Sequence, residues 1–151
     1  MKKSLFCLFF IMIFSSLVFS GSGDIETDKA AIKKVILSAY RDGIVNVGDA
    51  EAIKKGFHPY FNLLGLNKDG TGLWKLPIDE WGKHVLKEKK EGKYPPKELV
   101  SFKFLLVDVV GSAGFAKIEF YKGEKLAYTD FLSLYKFKDG WKLVAKIYHE
   151  H

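Results

Sequence analysis

Tyr128-Thr129-Asp130-Phe131-Leu132-Ser133-Leu134-Tyr135-Lys136-Phe137, then Lys138-Asp139-Gly140, then Trp141-Lys142-Leu143-Val144-Ala145-Lys146-Ile147-Tyr148-His149: this C-terminal stretch decides the fold. Its two runs are rich in aromatic and β-branched residues and are split by a short turn, the pattern of two strands, residues 126–137 and 141–149. A connection of that length forces the strands to pair antiparallel. Two further runs precede them, residues 99–110 and 115–122. The breaks between strands are Gly111-Ser112-Ala113-Gly114 and Lys122-Gly123-Glu124. The C-terminal third is therefore expected to be an antiparallel meander.

The two-residue period of a strand decides which side chains share a face. In the last strand Trp141, Leu143, Ala145, Ile147 and His149 share the apolar, inward face. The turn can close in two ways. A two-residue Asp139-Gly140 turn pairs Lys138 with Trp141 and brings Asp130 inside with His149. A three-residue turn pairs Phe137 with Trp141. It puts Phe131, Ser133, Tyr135 and Phe137 inside and leaves Asp130 outside near Lys146. The second matches aromatics with aromatics and is the one expected here. Ile118 and Phe120 then face inward, with Lys117 and Glu119 outward. Leu132, Leu134, Val144 and Tyr148 become an outward apolar patch, which points to a homodimer through that face.

The N-terminal half is helical. Ile25, Ile32, Val35, Ile36, Ala39, Tyr40 and Ile44 recur at helical spacing over residues 24–46. Asp49 is placed to cap a short helix over 50–55, closed by Gly56. Residues 61–66 and 73–76 read as a strand pair around the turn-rich segment Asn67-Lys68-Asp69-Gly70-Thr71-Gly72. Pro77 opens a third helix carrying Ile78, Trp81 and Val85, which runs to about Lys90. Helices first and antiparallel strands after make an α+β domain. The expected form is a curved antiparallel sheet wrapped around the long N-terminal helix, a cone with a cavity.

Met1-Lys2-Lys3, the apolar run from Leu5 to Phe19 and the small residues around Ser20 form the three-part pattern of a signal peptide, residues 1–20. The run is roughly 15 residues, short of the roughly 20 that span a bilayer, so no stable membrane anchor is expected after cleavage. The remaining chain, residues 21–151, is expected to be one domain, exported to the periplasm or secreted. The single cysteine, Cys7, leaves with the leader, which excludes disulfides, thiolate metal sites and a cysteine nucleophile from the domain. The net charge of +6 rests on lysine, Arg41 being the one arginine. Arginine forks suited to reading bases or phosphates are missing, and no nucleic-acid partner is expected. The denser patch Lys87, Lys89, Lys90 and Lys93 reads as a solvated helix end.

Several segments carry a resemblance. They are Tyr40 with Gly48-Asp49, Phe57-His58-Pro59, and residues 128–134 leading to Gly140-Trp141-Lys142-Leu143. Together they resemble the nuclear transport factor 2-like (cystatin-like) superfamily, and within it the bacterial "putative lumazine-binding" group of small, often exported proteins. The resemblance implies the cone-shaped fold. It leaves the activity open, since related domains include ketosteroid-isomerase-like and cyclase-like enzymes, ligand binders and dimerisation modules.

The chemistry-bearing residues are few. No His/Glu spacing suits a metal, and there is no phosphate loop, dinucleotide fingerprint or nucleophile elbow, so no metal and no cofactor is expected. Asp130 is the one acid embedded in an apolar strand. It either pairs outward with Lys117 or Lys146, or faces inward as an acid with a raised pKa beside Tyr128, as in an oxyanion hole. His58 is a third candidate for acid/base work. A pocket for a small, largely apolar ligand is expected among Tyr40, His58, Phe61, Trp74, Trp81, Phe131, Ser133 and His149. The competing readings are an isomerase-like or cyclase-like enzyme using Asp130, Tyr128 or His58, and a purely structural dimerisation module.

Overall fold

The computed structural model describes residues 22–151. The expected signal peptide lies outside the described residues. Helix α1 spans Ser22–Val35 and runs into a wider, π-helical segment over Ile36–Asn46. Helix α2 is Ala50–Gly56 and α3 is Ile78–Lys90. The strands are β1 (Phe57–Leu66), β2 (Leu73–Pro77), β3 (Val100–Val110), β4 (Ala113–Lys122), β5 (Lys125–Phe137) and β6 (Gly140–Glu150). Among the described residues no helix is long and apolar enough to cross a membrane.

The six strands form one sheet in the order β2-β1-β6-β5-β4-β3. Strands β3 to β6 are the expected antiparallel meander, and β1 with β2 is the expected hairpin. Strand β1 then joins β6 in parallel, which seats the N-terminal layers against the meander. The fold is the expected α+β architecture: an unclosed curved sheet with helices on its concave side.

The helical layer is held by a stripe of side chains. Ile32, Ile36, Ala39, Tyr40 and Ile44 are all buried against the sheet. Ile36, Tyr40 and Ile44 recur every fourth residue within the π-helical turns, so the wider winding keeps them in line on one face. Each fully buried aliphatic side chain contributes about 1.5–3 kcal/mol relative to exposure. Asn46 locks the end of the segment to β3. Its Nδ2 donates to Val100 O and its Oδ1 accepts from Val100 N, both at 2.9 Å. Asp49 caps α2 as the sequence predicts, its Oδ1 accepting from Glu51 N and Ala52 N. Gly56 lets α2 pack closely, since a Cβ there would lie 2.3 Å from Ala39 Cβ.

The β5–β6 hairpin corrects the expected register. Neither expected turn forms. Phe137 pairs with Gly140, which has a φ of +115°, and Lys136 pairs with Trp141. Leu134 pairs with Leu143 but Ser133 pairs with Ala145, so Val144 is an extra residue, a β-bulge. Beyond it the pairing returns to that of the three-residue closure, with Asp130 opposite Tyr148. The faces, however, are exchanged. Trp141 and Leu143 point inward, and after the bulge so do Lys146 and Tyr148, while Ile147 and His149 are exposed.

The turn closure, with Lys136 rather than Phe137 opposite the inward Trp141, turns the even-numbered residues of β5 inward and overturns three linked expectations. Asp130 points inward and is fully buried. Phe131, Ser133, Tyr135 and Phe137 lie on the outer face, where Phe131 packs against Phe115 and under the Lys117 ammonium. Leu132 and Leu134 are core residues at 1% exposure, so two of the four residues of the apolar patch that pointed to a homodimer are in the core. Ile118 and Phe120 are buried as expected.

Candidate functional site

Between the concave face of β4–β6, the π-helical segment and α3 lies a cavity of about 320 Å³. Its walls are mainly aromatic and aliphatic: Tyr40, Ile44, Val45, Leu63, Trp81, Phe120, Tyr128 and Tyr148. The charged groups in the wall are Lys122, which is exposed, and Lys146, which is buried. The volume lies at the lower end of the range for small-molecule sites, and the lining matches their usual chemistry of apolar walls with few polar groups.

The polar end is a cluster from three elements. The π-helical segment supplies Tyr40, β5 supplies Asp130 and β6 supplies Lys146. Lys146 Nζ lies 2.9 Å from Asp130 Oδ2. Tyr40 Oη donates to the same Oδ2 at 2.8 Å. Lys146 Nζ also donates to Tyr40 Oη, so the phenol oxygen accepts from the ammonium and donates to the carboxylate. Asp130 is 0% exposed and Lys146 is 6% exposed. The second carboxylate oxygen, Oδ1, is buried and has no hydrogen-bond partner among the described residues.

Burial sets the electrostatics. It drives the Lys146 ammonium below the ordinary lysine range, and the attraction of Asp130 only partly offsets this. It pushes the Tyr40 phenol well above its usual value, and the adjacent Asp130 carboxylate adds to the rise. The Lys146 cation also sits near three rings: its Nζ is 4.5 Å from the Tyr40 centroid, 5.5 Å from Tyr148 and 6.0 Å from Trp81. A desolvated pair of this kind is held by its partners, since removing either charge strands the other in a medium that solvates it poorly.

Of the candidate site residues, Tyr40, Trp81 and Tyr128 line the cavity, and Asp130 stands directly behind it, bonded to two wall residues. Phe61 is a core residue at 0% exposure, packed edge-on against Phe57. Trp74 lies across Gly65, where a Cβ would meet its ring at 2.1 Å, and touches Tyr148 edge-on without entering the wall. His58 is away from the cavity, stacked on Phe137, its Nδ1 accepting from Tyr60 N at 3.2 Å. That position corrects its assignment to the pocket. Phe131 and Ser133 are on the far side of the sheet because of the turn closure, and His149 because of the bulge. Among the described residues no group of three His, Cys, Asp or Glu side chains could hold a metal ion.

The residue that sequence reasoning missed is Lys146. Its signal was present: a lysine in the last strand lies diagonally across from the acid embedded in the strand before it. Strict alternation from the expected turn placed that pair on the outer face; the observed turn closure brings Asp130 inward, and the bulge brings Lys146 inward beside it.

The sequence and the fold were compared with known proteins. No curated protein matches the sequence. Among solved structures, a nuclear transport factor 2-like protein of unknown function from Shewanella baltica is 27% identical over 83% of this chain and 95% of that chain, with a TM-score of 0.63. A second such protein, from Silicibacter pomeroyi, is 18% identical over 83% of this chain and 98% of that chain, with a TM-score of 0.66. A domain of unknown function with a cystatin-like fold from Nostoc punctiforme is 13% identical over 83% of this chain and 78% of that chain, with a TM-score of 0.57. Residues 27–149 match a family described as "Putative lumazine-binding". The wrapped sheet, the helical layer and a match across nearly all of the described residues agree: this chain belongs to that family and has the nuclear transport factor 2-like, cystatin-like fold.

Proposed function

We propose that this protein is an exported binder of a small planar ligand, held between the aromatic walls of the cavity and anchored at the Tyr40–Asp130–Lys146 cluster. The carrying observation is the conjunction of an apolar cavity with one buried polar cluster at its wall. Apolar walls supply affinity by area, and a few fixed polar groups supply orientation. The rings of Tyr40, Trp81 and Tyr148 suit a flat ring system, and the Lys146 N–H groups suit a carbonyl or ring nitrogen on its edge. The family's description supports a heteroaromatic ligand of this kind. Export is supported by the leader pattern in residues 1–20, which the family match leaves aside by beginning at residue 27.

Isothermal titration of the purified chain with lumazine and with bicyclic carbonyl compounds tests the binding. The expected result is saturable binding of at least one of them, quenching of tryptophan fluorescence, and loss of both in Val45→Trp, which fills the cavity. Absence of binding by all of them at millimolar concentration overturns the proposal. Fractionation of the producing cell, with the N-terminus read by mass spectrometry, tests export: intact residues 1–20 on a cytoplasmic protein would refute it.

A further inference from the structure

We infer that Lys146 is a covalent carbonyl-capturing group, forming a Schiff base with an aromatic or conjugated aldehyde or ketone bound in the cavity. This rests on the pocket reading above and adds a bond to it.

Three features converge on it. Lys146 lines the cavity while its side chain is almost wholly withdrawn from water, so an electrophile in the cavity meets the amine without a competing hydration shell. Surface lysines are hydrated ammonium ions and poor nucleophiles, whereas burial favours the neutral amine that attacks carbonyl carbon. The groups that must move protons are already bonded to it: Asp130 Oδ2 at 2.9 Å and the Tyr40 hydroxyl. The surrounding rings of Tyr40, Trp81 and Tyr148 favour a flat, conjugated carbonyl compound over a sugar-like one.

The step balances without any further reagent. The Lys146 ammonium passes one proton to Asp130, and the freed Nζ lone pair attacks the carbonyl carbon as the C=O π pair moves to oxygen. A second proton leaves nitrogen and reaches that oxygen through the Tyr40 hydroxyl, giving a neutral carbinolamine. Asp130 then returns its proton to the carbinolamine hydroxyl, which departs as water while the nitrogen lone pair closes the C=N bond. The product is a protonated imine. Its charge faces the Asp130 carboxylate, so the cavity ends with the same net charge with which it began. Hydrolysis is the same path reversed, and the capture is reversible.

The test uses 2-naphthaldehyde with sodium cyanoborohydride at pH 7, with 2-naphthalenemethanol as the analogue that cannot form an imine. Peptide mapping by mass spectrometry locates the reduced adduct. The expected result is an adduct at Lys146 forming about tenfold or more faster than at any exposed lysine, given the advantage of a bound, oriented electrophile. Excess 2-naphthalenemethanol should suppress that adduct and spare the surface ones. Asp130→Asn should slow formation of the adduct per bound electrophile, the affinity of the same variant for 2-naphthalenemethanol being measured to separate loss of binding from loss of proton transfer. Binding of 2-naphthalenemethanol with adducts only on exposed lysines would overturn the covalent step and leave the pocket reading intact. If 2-naphthalenemethanol also fails to bind and no adduct forms at Lys146, the covalent inference falls with it, and the titration above then decides the pocket reading on its own.

Discussion

Replacing Lys146 with Met keeps the length and most of the volume of the side chain but removes its charge. Asp130, at 0% exposure, then holds a carboxylate whose only remaining bond among the described residues comes from the Tyr40 hydroxyl. Its Oδ1 already lacks a partner. Breaking a buried pair by removing one member costs about 3–5 kcal/mol, most of it the desolvation of the stranded charge. For a domain of this size each kcal/mol lowers Tm by roughly 3–5 °C, so Lys146→Met should melt about 10–20 °C lower. The companion is Lys146→Met with Asp130→Asn. Asparagine removes the stranded charge and keeps an oxygen to accept from Tyr40. The double variant should recover to within about 1–2 kcal/mol of the parent, as neutral replacements of buried pairs commonly do. Urea unfolding followed by tryptophan fluorescence, with calorimetry as a second probe, measures both. A Lys146→Met cost below about 1 kcal/mol, or additive single and double variants, would show that the pair is solvated, and the electrostatic account of the site would fail.

Three other perturbations follow from the same geometry. Asp28 is held below the ordinary carboxylate range, first by its hydrogen bond with Lys136 and then by that from Trp141 Nε1. Its stabilisation is therefore present above the unfolded-state value near 3.9 and is lost as pH falls through the lower folded value, so Asp28→Asn should cost about 1–2 kcal/mol at pH 7 and progressively less as the solution is acidified below the unfolded-state value, read from denaturant midpoints across pH. Gly56→Ala should destabilise by about 1–3 kcal/mol although alanine is the better helix former, because the new methyl meets Ala39 at 2.3 Å; Ala39→Gly in the same chain should recover part of the loss in a melting experiment. Asn46→Ala strands both Val100 backbone groups and should cost about 2–4 kcal/mol, with faster hydrogen exchange at the Val100 amide.

The architecture was legible where local chemistry is unambiguous. Glycine-bearing turns separated the strands of the meander, Asp49 announced the start of α2, and the apolar stripe from Ile32 to Ile44 announced the buried helix. The site was only half legible. Tyr40 and Trp81 could be placed in the wall because their neighbours follow simple periods, whereas Tyr128 shares the strand face of Asp130. Asp130 could be singled out by its apolar surroundings, but its direction could not. That direction depends on how the Lys138-Asp139-Gly140 turn closes, and the direction of Lys146 on a single unpaired residue in Leu143-Val144-Ala145-Lys146; neither leaves a mark in side-chain type. The outer position of Phe131 and Ser133, and the burial of Leu132 and Leu134, follow from the same turn closure. The π-helical winding over Ile36–Asn46 was equally silent, since its buried residues also fit an ordinary helical stripe.

The bulge at Val144 makes the chemistry of this cavity a matter of strand pairing rather than of residue identity. The first half of β6 offers Trp141 and Leu143 to the core, and the second half offers Lys146 and Tyr148 to the cavity, with one uncounted residue as the hinge between them. Pairing Val144 regularly, without the bulge, would leave every functional side chain in the sequence and yet rotate Ala145 and Ile147 into the cavity in their place. A relative could thus hold both the aspartate and the lysine and possess no charged cluster at all. Whether the residue after Leu143 is paired or bulged would say more about its pocket than comparing residue types.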